Sequence, residues 1–162
     1  MVMAVTASAV SDAASAQSLN PATVTVSDFA SVVLNGTAAT TTATMSDFTV
    51  TDTAGVGWHV SVQATVFAEV DGTGAYVTGG KTLPAGSLAM PAPTVTPSGG
   101  SVTVAAGPYL LDGATVQIVT AGSGTTGTFT LTQGGSLTLS LPASAFARTY
   151  RSDVTVAVQS GP

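Results

Sequence analysis

The sequence predicts an all-β protein, an antiparallel β-sandwich or open barrel with an extended N-terminal segment. Many short stretches alternate between apolar and polar residues, as strands with one buried face do. Clusters of Gly, Asn, Asp and Pro separate these stretches at regular spacing. No stretch has the 3.6-residue period of an amphipathic helix. A chain of 162 residues without cysteine is then most simply one domain of this class.

The longest alternating stretch runs from Gly57 to Val70 and holds the only tryptophan and the only histidine. Successive side chains of a strand point to opposite faces, so Trp58 falls on an apolar face of valines and alanines. His59 and Phe67 fall on the opposite, mainly polar face. The pattern predicts one long strand through the centre of the domain, with Trp58 in the core.

The remaining elements follow in chain order from the same two signals. Before the long strand, alternation predicts strands over 23–26, 31–34, 43–45 and 48–51. After it, strands are predicted over 75–78, 101–104, 115–119, 128–132, 136–141 and 153–159. The proline-rich stretch 83–97 predicts an edge or irregular crossing, and 143–149 predicts one short helical turn. We divide the chain into an N-terminal segment, 1–20, and a β domain, 21–162.

The composition excludes several classes of function. Only 7% of the residues are charged, against roughly 25% in ordinary globular domains, and the net charge is −5. Lys81, Arg148 and Arg151 are the only cations, too few for a nucleic-acid partner. No apolar run reaches the roughly 20 residues that a membrane-spanning helix needs. A sparsely charged surface of small residues favours a secreted, extracellular protein that associates with copies of itself. We interpret the chain as the mature product that remains after an export signal is removed.

The sequence gives no indication of catalysis. His59 is the only histidine and lies in the middle of a predicted strand, without the buried acid that a hydrolytic triad needs. Turn chemistry explains Asp71 and Asp112, and Asp28 and Asp47 are expected to cap turns by accepting backbone hydrogen bonds. We therefore expect no enzyme activity, no cofactor and no metal.

The N-terminal segment, 1–20, is the candidate assembly element. Its residues are small or apolar on both sides of an extended strand, as in a strand inserted between neighbours; Val2, Met3, Val5 and Val10 are the candidate contact residues. Such a segment docks on its own domain or adds to an incomplete sheet of another copy. Head-to-tail addition between identical subunits does not close, and it then produces a fibre.

Two motifs resemble those of the WxL domain family of bacterial cell-surface proteins. The first is Gly57-Trp58-His59-Val60, preceded by Phe48-Thr49-Val50-Thr51-Asp52 and Gly55; the second is Tyr150 followed by Val156-Ala157-Val158 and Pro162. Val60 replaces the leucine of the first motif, and Val156 replaces the tryptophan of the second. The likeness covers roughly 22–162.

The resemblance implies a bacterial surface protein that attaches without a covalent bond to the cell wall. The alternative function is thus a monomeric peptidoglycan-binding domain. In that case the rings of Trp58 and Tyr150 would stack on a wall glycan, which requires exposed rings. Trp58 and Val60 are two positions apart and therefore lie on the same face of the predicted strand. If the motif is instead a pattern of core residues, as this suggests, both rings are buried.

Overall fold

The computed structural model describes residues 3–11, 17–21 and 23–161, and for 3–11 it describes the backbone alone. Strands make up the regular structure of these ranges. In chain order they are β1 (Met3–Ser11), β2 (Gln17–Asn20), β3 (Ala39–Ala43), β4 (Phe48–Asp52), β5 (Trp58–Ala64), β6 (Ala68–Val70), β7 (Leu88–Met90), β8 (Thr94–Pro97), β9 (Val102–Val104), β10 (Tyr109–Leu110), β11 (Val116–Ala121), β12 (Gly127–Thr132), β13 (Leu137–Leu141) and β14 (Thr149–Ser160).

The strands form three open sheets that pack together as a β-sandwich. Sheet A has the order β1-β14-β5-β11-β9, with β6 also paired to β14. Sheet B has the order β2-β4-β12-β8, and sheet C has the order β10-β7-β13-β3. Neighbouring strands are antiparallel except β1 and β14, which are parallel. This architecture, without a helix in the described ranges, confirms the predicted all-β class. Within those ranges no helix has the length and hydropathy needed to cross a membrane.

The core lies where the inner faces of the sheets meet. Strands with alternating apolar and polar residues contribute the side chains of this core, as predicted, because every second side chain of a strand points inward. Trp58 of sheet A packs against Phe129 of sheet B with ring centroids 5.1 Å apart. Phe29 and Phe67 meet edge to face at 5.9 Å, although neither lies in a strand. One contiguous apolar cluster thus joins the sheets.

The predicted long strand is interrupted, which corrects the reading of Gly57–Val70 as one element. β5 ends at Ala64 and β6 begins at Ala68, and both pair with β14. The three residues 65–67 between them oppose only two on β14, because Ala64 pairs with Val154 and Ala68 with Arg151. The extra residue is a β-bulge, and it reverses the inside–outside phase of the strand. Phe67, expected on the polar face, is therefore completely buried.

Other predicted elements are also corrected. Residues 23–26, 31–34 and 75–78 are not strands; Val26 and Tyr76 each make only an isolated bridge. Val24 is buried although its stretch has only the bridge of Val26, so its apolar pattern comes from core packing rather than from a strand ladder. The stretch 143–149 is not a helix: residues 143–148 form an irregular turn, and Thr149 begins β14. The stretch 83–97 contributes β8 at the edge of sheet B, as expected of a proline-rich segment, but also β7 inside sheet C.

Candidate functional site

The candidate site is the pairing of β1 with β14, at one edge of sheet A. β14 is the longest strand, and its burial alternates over twelve residues. Tyr150, Ser152, Val154, Val156 and Val158 all have at most 1% of their surface exposed. Tyr150 therefore shares the inward face of β14 with the three valines. β5 and β6 occupy one side of β14, and β1 occupies the other.

β1 lies against β14 of the same chain in a continuous parallel register. Met3 is opposite Tyr150, Ala7 is opposite Val154, and Ser11 is opposite Val158, with no irregularity between them. In the described part of the chain, β1 has no other sheet neighbour and is the outermost strand of sheet A. Without it, β14 would present a row of unpaired backbone N–H and C=O groups, which is the surface to which an added strand binds.

The structure places the predicted assembly residues as follows. Met3, Val5 and Val10 lie in β1, opposite Tyr150, Ser152 and Ala157 of β14. Val2 lies outside the described residues. The segment 1–20, predicted as one extended piece, contains two strands that belong to different sheets: β1 is in sheet A and β2 is in sheet B.

A buried polar network holds β2 beside the carboxyl end of β14. Gln17 is only 4% exposed, and its Nε2 donates to Asp52 Oδ1 at 3.0 Å. Ser160 Oγ donates to Gln17 Oε1 at 2.6 Å. Asp52 also accepts hydrogen bonds from the backbone amides of Ala54 and Gly55. The network therefore fixes the start of β2 next to the last residue of β14. Nothing local in the sequence indicates it, since Gln17 and Ser160 are 143 positions apart.

The loop before β5 joins the same end of β14. Gly57 has a φ of +86°, and a Cβ there would lie 3.0 Å from the carbonyl oxygen of Ala121, so the position requires glycine. Its own carbonyl accepts a hydrogen bond of 2.9 Å from the amide of Gly161. His59 Nδ1 donates to the carbonyl of Gly161 at 2.8 Å, and its Nε2 lies 2.9 Å from Gln159 Oε1. Both ring nitrogens thus face structural partners, and neither faces a hydroxyl nucleophile.

The opposite end of β14 carries all three cations of the chain. Arg151 forms an ion pair with Asp153 at 2.9 Å, and Tyr76 Oη donates to the same carboxylate at 2.7 Å. The hydrogen bond to Asp153 raises the pKa of Arg151, and burial followed by the bond to Asp153 raises the pKa of Tyr76.

The other two cations lie beside Glu69. Arg148 Nε is 3.2 Å from Glu69 Oε1, and Lys81 Nζ lies 4.6 Å from the centre of the Phe146 ring. Glu69 Oε2 also accepts from the backbone amide of Lys81. Each cation therefore has a partner within the chain. The sequence could not show this cluster, because its members come from separate turns.

Trp58 and Tyr150 cannot serve as sugar-stacking residues in this fold. Both are 0% exposed, so neither ring has a free face, and the prediction that Trp58 lies in the core is confirmed. Trp58 Nε1 has no hydrogen-bond partner among the described residues, whereas Tyr150 Oη donates to the carbonyl of Phe146 at 3.3 Å. With Asp52 buried in the network above, the motif residues hold the framework together.

The outer face of sheet A carries a shallow polar depression. Its volume is about 210 Å³, and it is lined by Ser61, Gln63, Thr115, Thr155, Ala157 and Gln159. Thr115 Oγ1 donates to Gln63 Oε1 at 2.7 Å, so part of the hydrogen-bonding capacity of the depression is used within the chain. The described residues contain no group of three or more side chains that could hold a metal ion.

Comparison of the chain with protein-family models, with curated proteins and with solved structures finds no match. The resemblance to the WxL domain family therefore rests on the two motifs alone.

Proposed function

We propose that this chain is a secreted, non-enzymatic structural subunit of a bacterial cell surface, which assembles into an extracellular fibre when β1 of one copy pairs with β14 of the next. The observation that carries the proposal is the place of β1. It is an outermost strand that covers the edge of the longest strand in the fold, and five residues, 12–16, join it to the rest of the domain. Exchange of an identical element between copies fills the same β14 edge that β1 covers within one chain.

The surface supports the same function. Few ions have to be desolvated when copies meet, because only 7% of the residues are charged. The two ion pairs of Arg148 and Arg151 lie at the opposite end of β14 from the network of Gln17. Arg151 and Asp153 lie in β14 opposite Ala4 and Thr6 of β1, but both side chains remain about one third exposed beside that strand. Strand exchange at the β14 edge therefore buries neither charge completely.

Proline substitution in β1 tests the proposal. Proline lacks the amide hydrogen that strand pairing uses, and in an edge strand only alternate amides point toward the neighbour. Replacing both Ser8 and Ala9 by proline removes two successive backbone N–H groups. One of these two groups must point toward β14, whichever set of alternate amides makes the pairing. The matched control, Ser8→Thr with Ala9→Ser, keeps both amides.

We expect filaments in electron micrographs for the unmodified chain and for the control, and monomers by light scattering for the proline variant. Filaments of unchanged appearance from the proline variant would contradict the proposal. So would a monomeric unmodified chain at every concentration.

A further inference from the structure

The connection between β1 and β2 limits where β1 can pair. Gln17 is held against Ser160 by the 2.6 Å hydrogen bond, at the carboxyl end of β14. Six residue steps separate Ser11 from Gln17, and an extended chain covers at most about 3.6 Å per step, or roughly 20 Å in all. The Ser11 end of β1 therefore stays within about 20 Å of the carboxyl end of its own subunit's β14, whichever subunit β1 pairs with.

Parallel pairing between subunits favours a closed assembly. In the parallel register Ser11 is opposite Val158, near the carboxyl end of β14. If β1 kept this direction on a neighbour, the carboxyl ends of the two β14 strands would come together. Every further subunit would then meet its neighbour at this one end, an arrangement that suits a reciprocal dimer or a small ring and does not line up the β14 strands end to end.

Antiparallel pairing opens the assembly. Ser11 then lies at the amino end of the neighbour's β14, so the carboxyl end of one β14 meets the amino end of the next. This contact repeats without closing. A strand of twelve residues is about 40 Å long, which sets the approximate spacing of successive subunits.

We infer that β1 reverses its direction on assembly: it pairs parallel with β14 inside the free subunit and antiparallel with β14 of the next subunit in the fibre. This inference rests on the proposed function. The parallel strand then acts as a cap that protects the β14 edge until a second copy replaces it. Antiparallel pairs are slightly more stable per residue than parallel pairs, which offsets part of the entropy that a subunit loses on joining the fibre.

The alternation of β1 permits both directions. A reversal about Ala7 leaves Ala7 opposite Val154 and keeps odd-numbered residues of β1 opposite even-numbered residues of β14, as in the parallel register. No residue moves to the other face of the sheet, because the two directions share the same period of two. Only the order along β14 changes: Ala4 moves from Arg151 to Ala157, and Val10 moves from Ala157 to Arg151.

Engineered cysteine pairs distinguish the two directions, since the chain contains no cysteine of its own. Val10→Cys with Ala157→Cys joins direct neighbours in the parallel register. Ala4→Cys with Ala157→Cys joins residues that are six positions apart in that register, roughly 20 Å, too far for a disulfide. If the antiparallel register is shifted by two residues in either direction, Ala4 lies opposite Thr155 or Gln159. The pairs Ala4→Cys with Thr155→Cys and Ala4→Cys with Gln159→Cys test these two registers.

Each pair is oxidised before and after assembly and analysed on denaturing gels without reductant. We expect the Val10/Ala157 pair to form an intramolecular bond that blocks assembly when formed first. We expect an Ala4 pair to give a covalent ladder of multimers from assembled material. Disulfide-linked multimers of the Val10→Cys/Ala157→Cys variant would instead show that β1 keeps its parallel direction between subunits. That result would refute the reversal but would still support the exchange of β1 between copies. Absence of any multimer of the unmodified chain would refute the proposed function itself.

Discussion

Trp58 shows how the burial of one residue limits the role of its side chain. Its ring is 0% exposed and contacts Phe129, so it contributes packing and has no face for a ligand. As the only tryptophan, it also reports on its own surroundings without interference from another indole.

We predict that iodide quenches the fluorescence of Trp58 in the folded protein much less than in urea, because the folded ring has no contact with solvent. Trp58→Ala should lower the free energy of unfolding by about 3–5 kcal/mol. Trp58→Phe should cost less, since it keeps most of the apolar volume and removes a buried N–H without a partner. Strong quenching in the folded state would contradict the buried position.

Asp112 is a second residue whose role is structural. It is 1% exposed and accepts three hydrogen bonds of 3.0–3.1 Å from the backbone amides of Gly86, Ser87 and Leu88. Asp112→Ala would leave these amides without their acceptor, so we predict a loss of roughly 3 kcal/mol of unfolding free energy in urea. The exposed Asp28 is the matched control, and Asp28→Ala should change it by no more than about 0.5 kcal/mol. Equal effects of the two substitutions would refute this assignment.

The tyrosines make stability depend on pH in the alkaline range. Burial raises the pKa of Tyr109 and Tyr150 in the folded protein above the usual value of about 10. Their neutral forms are therefore favoured by folding. The resulting stability is fully present below pH 10 and is lost as the pH rises through the folded pKa, by at most about 1.4 kcal/mol per pH unit for each tyrosine. Urea unfolding between pH 9 and 11 should show this fall, and Tyr150→Phe should reduce its slope; an unchanged slope would contradict the prediction.

At the scale of elements, β1 and β2 differ in how strongly they belong to the domain. β1 covers an edge, whereas β2 carries Leu19, 7% exposed, and Gln17 of the buried network. A chain that starts at Gln17 should fold and expose the β14 edge. A chain that starts at Pro21 should be less stable by several kcal/mol, because Asp52 loses the Gln17 bond and the core loses Leu19. Circular dichroism during thermal unfolding compares the two, and equal midpoints would contradict the assignment of β2 to the core.

The alternation of apolar and polar residues correctly predicted the strands that have a neighbouring strand on each side or a continuous buried face. The stretches 48–51, 136–141 and 153–159 became β4, β13 and β14 because every second residue meets the core. The same signal failed for 23–26, where Val24 is buried but has no strand beside it. It also failed at Phe67, since a bulge depends on the partner strand and leaves no mark in a single stretch of sequence. Of the candidate site, the sequence indicated a docked N-terminal strand but not its partner or its direction.

At the scale of the whole molecule, the sparse charge sets the response to salt. The two ion pairs found among the described residues, Arg148–Glu69 and Arg151–Asp153, are both partly exposed to solvent. Exposed pairs contribute about 0–1 kcal/mol each, and salt screens them. We predict that the free energy of unfolding changes by less than about 2 kcal/mol between 0.05 and 1 M NaCl. A larger loss of stability at high salt would mean that charge supports the fold more than these pairs account for.

The parallel alignment of the first and last strands has a mechanical consequence. A force that pulls Met3 and Ser160 apart acts along the two strands in opposite directions, because Met3 lies beside Tyr150 while Ser160 lies at the far end of β14. The nine residue pairs then resist sliding together instead of opening one after another. The antiparallel arrangement inferred for the fibre is sheared in the same way, since the pull enters β1 at Ser11 and leaves β14 at Ser160. Forced unfolding is governed by the rate of unfolding, so such a subunit withstands brief tension far better than its equilibrium stability alone would indicate.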